Sequence, residues 1–316
     1  MLNLKPKMFE ESKKSTASEN LIVNIVVFIV IWILIMIAES IIPGTMTNNE
    51  LQKRLMEEGL LENMDFSRIM TISTEVSMMP KYFIPSLLCT GFGTLISIIY
   101  CRFIEARHLS SMGIRRKKIG IHYLQGLVVG IVLITAIVLL SVVFRINNIA
   151  LCTNINFALI GLYLIGFFVQ GMSEEFIFRG YFMNTLGGRH NPVIAITISA
   201  VAFSLAHIFN PGFNFLIFIN LALFGTFASL YMIYFDDIWG VCAIHSVWNF
   251  TQGNFYGISV SGTGNTESIF RTTAISSSDI LTGGTFGAEG SIITTAVLIS
   301  ASAFMLYKIS KQQTDN

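Results

Sequence analysis

Ser173-Glu174-Glu175-Phe176-Ile177-Phe178-Arg179 lies inside an apolar run from Phe157 to Phe182. That run is long enough to cross a bilayer, for which about 20 residues suffice. Each of its three charges costs about 2.5–3.5 kcal/mol to insert at mid-membrane. A chain that keeps them has partners for them or a use for them. On a helix Glu175 and Arg179 are four residues apart and share a face, so that each neutralises the other. Glu174 is rotated from them by about 100° and lacks that partner. It is therefore the residue to explain, either as a tie between helices or as a working group.

The rest of the chain makes a membrane setting the natural one. Of 316 residues 53% are hydrophobic and only 12% charged, against about 25% charged in a soluble domain. The expected fold is an all-α, polytopic transmembrane bundle. A net charge of +1 implies no bulk electrostatic partner, and no basic stripe suggests nucleic acid. Cys89, Cys101, Cys152 and Cys242 follow no zinc or disulfide spacing.

Outward from the Glu-Glu stretch, the hydropathy pattern predicts about eight spans: 21–43, 83–104, 121–144, 157–182, 192–209, 213–235, 238–252 and 291–307. Pro192 suits a first helical turn, Asn210-Pro211-Gly212 a turn, and Asp236-Asp237 a helix end or cap. Glu39 falls near the far end of the first span, where interfacial water would tolerate it. Residues 44–82 read as a hydrophilic loop, with a short amphipathic helix at 49–63 carrying Leu51, Leu55, Leu60 and Leu61. Residues 253–290, rich in Gly, Ser and Thr, read as a long mobile loop.

With the N-terminus inside, 14 of the 20 basic residues fall on the inner side and 6 on the outer, as the positive-inside rule requires. Arg107, Arg115, Arg116, Lys117 and Lys118 dominate that count. Both termini are expected in the cytoplasm of a multi-pass protein of the cell membrane. The chain divides into a tail (1–20), two spans with their outer and basic inner loops (21–119), a core (120–252), and an outer loop with the last span and tail (253–316).

Polar side chains of catalytic type sit in three of these spans. His207 lies in Phe203-Ser204-Leu205-Ala206-His207, and His245 and Asn249 are four residues apart on one helical face. Taken singly, each reads as an interhelical hydrogen bond worth about 0.6–2 kcal/mol. Together they supply a base for water and donors for an oxyanion.

Glu174-Glu175-xxx-Arg179, Phe203-xxx-His207 and His245-xxx-Asn249, in that order and each in an apolar span, resemble the three motifs of the CPBP intramembrane proteases. That family contains the CAAX prenyl proteases and the bacteriocin-processing or immunity proteins, also called Abi. Met112-Gly113-Ile114-Arg115-Arg116 resembles the usual lead-in. The resemblance is firm from about Gly161 to Gly253, so that the 120–252 core is the catalytic one. It implies a glutamate-dependent endopeptidase without a cofactor, acting on a membrane-associated peptide or protein. Glu174 with His207 would activate water, His245 and Asn249 would hold the oxyanion, and Glu175 and Arg179 would support the site.

Three rival readings remain open at this point. Glu174, His207 and His245 have the composition of an open zinc site. The Abi branch suggests bacteriocin self-immunity without catalysis. A proton relay would also use buried Glu and His, although no repeat of the transporter kind is present. One geometric tension stands out: counted along ideal helices, His245 lies about two turns shallower than Glu174, so that span seven must tilt or break to bring it level.

Overall fold

The computed structural model describes residues 6–60, 65–264 and 267–314. Lys5 of the predicted tail, and Leu61 and Asn63 of the predicted amphipathic stretch, lie outside the described residues. In chain order the helices are α1 Lys7–Ser12, α2 Leu21–Glu57, α3 Phe66–Ser77, α4 Pro80–Ile104 and α5 Ile119–Val143. After them come α6 Phe157–Gly187, α7 Pro192–Leu205, α8 Phe215–Phe235, α9 Trp239–Phe250 and α10 Ile292–Thr314.

Six of these, α2, α4, α5, α6, α8 and α10, are long and apolar enough to cross a membrane, which makes this a multi-pass membrane protein. The expected count of eight is therefore corrected. The two shortfalls are α7, with 14 residues, and α9, with 12 and a π-type continuation over Thr251–Phe255. At 1.5 Å per residue they reach about 21 and 25 Å, short of a hydrocarbon core of about 30 Å.

Helix α9 is an interior element, buried from Gly240 to Asn249. Small residues let its neighbours approach it closely, as is usual where lipid supplies no hydrophobic drive. A Cβ on Gly126 of α5 would sit 2.1 Å from Gly240 O, and one on Gly171 of α6 would sit 2.5 Å from Ser246 N. Asp237 starts the helix: its Oδ1 accepts from Trp239 N at 3.1 Å, and its Oδ2 pairs with His122 Nδ1. Pro192 opens α7 as expected, with the Asn191 side chain capping Val193 N at 2.8 Å.

The N-terminal half departs further from expectation. Helix α2 does not stop at Pro43 but runs to Glu57, with Thr45 and Thr47 hydroxyls donating to the carbonyls of Ile42 and Pro43. Residues 44–82 are thus mostly a helical hairpin rather than a loop. Leu60, Ile72 and Val76 form its core, with Leu51 and Leu55 packed against them. The tail is not simply polar and solvated, because Met8 and Phe9 are buried and Arg189 donates to the carbonyls of Ser12, Ser15 and Ala17.

The all-α expectation also needs one correction. Strands β1 Asn147–Leu151 and β2 Phe270–Ala274 pair antiparallel, Asn147 opposite Ala274 and Leu151 opposite Phe270. The linker before α6 is thereby joined to the Gly-rich stretch, which is folded over the bundle rather than a free loop. Its turns use positive φ at Gly257, Gly262, Gly283, Gly284 and Gly287, a region only glycine enters without strain. Composition alone does not distinguish such a chain of tight turns from a flexible linker.

Candidate active site

Helix α6 changes form at the Glu-Glu pair. It is α-helical to Glu175 and widens into π-type turns over Phe176–Met183, an irregularity that often accompanies functional sites. Glu175 and Arg179 are fully buried and paired, Nη1 to Oε1 at 3.0 Å. The same oxygen of Glu175 lies 2.7 Å from His245 Nδ1. A carboxylate only accepts, so Nδ1 carries the hydrogen and the Nε2 edge of the imidazole is aimed elsewhere.

That edge points at Glu174. His245 Nε2 and Glu174 Oε2 are 3.6 Å apart, and among the described residues Glu174 Oε2 has no hydrogen-bond partner. Glu174 Oε1 accepts from Gln170 Nε2, and Gln170 Oε1 in turn accepts from Asn249 Nδ2 at 2.8 Å. Glu174, Glu175, His245 and Asn249 are thus one connected group on α6 and α9. The depth mismatch expected for His245 is not found, since its Nε2 lies 3.6 Å from Glu174 Oε2.

His207 stands apart. It follows the end of α7, and its Nδ1 donates to Phe203 O at 2.9 Å. It reaches the group only through rings: Phe203 lies 4.9 Å from His207 and 5.8 Å from His245, centroid to centroid. The Arg179 guanidinium sits over Phe203 at 4.5 Å. Among the described residues no three His, Cys, Asp or Glu side chains form a group able to hold a metal ion. Glu174, His207 and His245 are therefore not assembled as a zinc set.

Two groups escaped the sequence reading and a third, Glu39, lies elsewhere than expected. Gln170 is four residues before Glu174 and shares its face, so helical spacing would have found it. Glu289 precedes α10 in a Gly-rich stretch without periodicity, and no local signal marks it. It is buried, its Oε2 accepts from Ser261 N and Oγ at 2.7 and 3.0 Å, and burial raises its pKa against the pull of Ser261, His207 and His245. It shares a cavity of about 10 Å³ with Phe203, Phe224, His245, Trp248 and Asn249, room for about one water. Glu39, expected at a hydrated boundary, instead has a buried, unpartnered Oε1 among the described residues. It lies beside Gly93 and Ser173, since a Cβ on Gly93 would fall 2.8 and 2.6 Å from Glu39 Oε1 and Ser173 Oγ.

Residues 155–251 match the family model described as Type II CAAX prenyl endopeptidase Rce1-like. That stretch is similar to the Rce1-like domain. No curated protein and no solved structure matches the chain. The matched stretch runs from just before α6 to the end of α9, and so takes in Gln170, Glu174, Glu175, Arg179, His207, His245 and Asn249. Glu39 and Glu289 lie outside it. Rce1-like proteins are a protease family, in agreement with the resemblance seen in the motifs.

Proposed function

We propose that this protein is an intramembrane endopeptidase that hydrolyses a peptide bond of a membrane-associated peptide or protein with water activated by Glu174, without a metal. One observation carries the reading: two adjacent carboxylates are divided in role. Glu175 is spent on Arg179 and His245, while Glu174 keeps one oxygen unpaired, 3.6 Å from His245 Nε2. That separation is too long for a direct hydrogen bond, so that neither group is committed to the other.

In the proposed reaction Glu174 takes a proton from the water as its oxygen attacks the substrate carbonyl carbon. The oxyanion is held by the amide of Asn249 and by Nε2–H of a doubly protonated His245, whose Nδ1–H stays on Glu175. His207 assists from the other side: with Nδ1–H bound to Phe203 O, its Nε2 is free to exchange a proton. Collapse of the tetrahedral species breaks the C–N bond, and the proton from Glu174 leaves with the amine. Arg179 and Glu175 hold His245 in place. A cavity of about 10 Å³ admits no peptide, so the outer stretch at Ser261 and Glu289 moves aside for substrate. The setting proposed is the cell membrane, with both termini in the cytoplasm.

The test compares cleaved membrane-associated peptides between cells carrying the wild type and E174Q, with and without chelator. General-base removal is expected to lower cleavage by about 100- to 10,000-fold, with the wild type indifferent to chelator. Cleavage that persists in folded E174Q overturns the reading. Bacteriocin protection unaffected by E174Q would favour the immunity role instead.

A further inference from the structure

The ends of α4 and α8, the turn before α5 and the N-terminal segment frame a second cavity. It has a volume of about 700 Å³ and is lined by Lys7, Arg102, Arg115, Arg116 and Lys117, with Asp236 as the one acid. Arg102 comes from the end of α4, Asp236 from the end of α8, and Arg115 to Lys117 from the turn that leads into α5. A cavity at the ends of apolar helices lies at headgroup level.

The charge in it is not balanced from within. Asp236 is taken by Arg115, which donates Nε to its carbonyl at 2.6 Å and pairs Nη2 with its Oδ2 at 2.8 Å. Glu11 also faces Arg115, at 3.5 Å. Among the described residues Lys7, Arg102, Arg116 and Lys117 have no carboxylate within ion-pair distance. On the hairpin of α2 and α3 and the start of α4 the pattern is the reverse, for Lys53, Arg54, Arg68 and Lys81 all have carboxylate partners.

The basic turn is also built rather than loose. Gly113 takes φ +78°, and its carbonyl accepts from Ile238 N at 3.0 Å. Trp239 Nε1 holds Arg115 O at 2.7 Å. Ala106 and Lys118, at either end of the segment, are held at φ +51° and +64°, a region disfavoured for residues with a Cβ and often retained where function requires it. Next in sequence to its lining, Phe103 and Ile104 follow Arg102 and Ile121 lies in the first turn of α5; they are 74%, 65% and 58% exposed, apolar surface of the kind that acyl chains cover.

We propose that this cavity is a binding site for the phosphate headgroup of an anionic phospholipid, whose acyl chains lie along Phe103, Ile104 and Ile121. The recognised chemistry is a phosphate anion joined to an apolar tail. Lys7, Arg102, Arg116 and Lys117 supply the open positive charge, and Arg115, locked by Asp236, fixes the floor. Basic pockets between membrane helices bind such headgroups. The inference does not depend on the proposed hydrolysis.

The experiment uses the purified full chain in detergent, titrated with dioleoylphosphatidylglycerol, dioleoylphosphatidylcholine or inorganic phosphate and read by native mass spectrometry and thermal melting. The variants are R102Q, R116Q, K117Q and their triple combination. Arg115 is left intact because it ties the fold. Phosphatidylglycerol is expected to bind at least tenfold more tightly than phosphatidylcholine and to raise Tm. Affinity should fall about fivefold for each cation removed and about 100-fold in the triple variant, whose lipid-free Tm should match the wild type. Equal binding of the two lipids, or undiminished phosphatidylglycerol binding by the triple variant, overturns the proposal. Inorganic phosphate binding as tightly as phosphatidylglycerol also overturns it, since the tail would then contribute nothing. A triple variant that melts early is replaced by R116Q alone, which must still show the fivefold loss.

Discussion

Carboxylates and guanidiniums meet in two very different places in this molecule. In the hairpin of α2 and α3, Arg68 grips Glu58 with two bonds of 2.7 and 2.6 Å, with side chains 40% and 39% exposed. In the core, Arg179 meets Glu175 at 3.0 Å with neither exposed. By distance the surface pair is the better one. Water and salt screen it, so its geometry carries little energy. The buried pair has no such screen, and each partner is costly to leave alone. Hydrogen-bond length is therefore a poor guide to importance here, and burial a good one.

The largest expected effect sharpens that contrast inside the core itself. E174Q changes a half-buried carboxylate whose Oε2 has no partner, so folding should persist, with Tm within a few degrees of wild type, while cleavage falls at least 100-fold. R179A should do the opposite. It strands Glu175 in a dry site, and loss of about 3–5 kcal/mol is expected, read as early thermal unfolding or poor accumulation in the membrane. An R179A protein that melts like wild type would break the comparison, because Glu175 would then have to be solvated or protonated without strain.

Gln170 gives an intermediate case. Its amide bridges Glu174 and Asn249 and carries no charge. Q170A should remove a bond to an ionised group, about 1.5–3 kcal/mol, seen as roughly a 10- to 100-fold loss of cleavage with little change in Tm. Q170E should be no better, since a carboxylate offers Glu174 no donor.

Glu289 tests burial through pH. Burial raises its pKa, while Ser261 and the nearby imidazoles of His207 and His245 oppose the rise. A carboxyl group raised in the folded state contributes its full stability below the ordinary value of about 4.3 and loses it as pH climbs through the folded value. E289Q removes that titration. Its Tm relative to wild type should therefore increase from pH 4 towards pH 8, and a difference that stays flat across that range would show the carboxylate to be well solvated or fully paired.

These side chains also mark how far the sequence could be read. Glu174, Glu175 and Arg179 were legible because charge in an apolar run is costly and helical spacing pairs the last two. His245 and Asn249 were legible as one face of a helix, but their meeting with Glu174 was implied by the family resemblance alone, since helical spacing does not show Gly126 and Gly171 letting α9 sink between α5 and α6. The span count failed at the same place, because apolar composition does not separate a buried short helix from one that crosses lipid. Helix α2 was cut short at Pro43, where the apolar run ends, although it continues through polar residues to Glu57 with Thr45 and Thr47 bonded locally. The strand pair and Glu289 were invisible, as both arise from contacts between stretches more than 100 residues apart or from glycine turns without periodicity.

The smallest effect is expected at the hairpin. R68Q removes both bonds to Glu58 and the nearby pairing to Glu75 at 3.6 Å, yet all three side chains are well exposed. The hairpin is held by Ile72 and Val76, which are fully buried, and by Leu60 beside them; that apolar contact survives the substitution. Tm should stay within about one degree of wild type at physiological ionic strength, where charges are screened over about 8 Å, and cleavage should be unchanged. A large loss of stability in R68Q that salt fails to mimic would mean the pair is shielded from water in the membrane, and the distinction drawn between the two sites would then rest on depth in the bilayer rather than on burial within the protein.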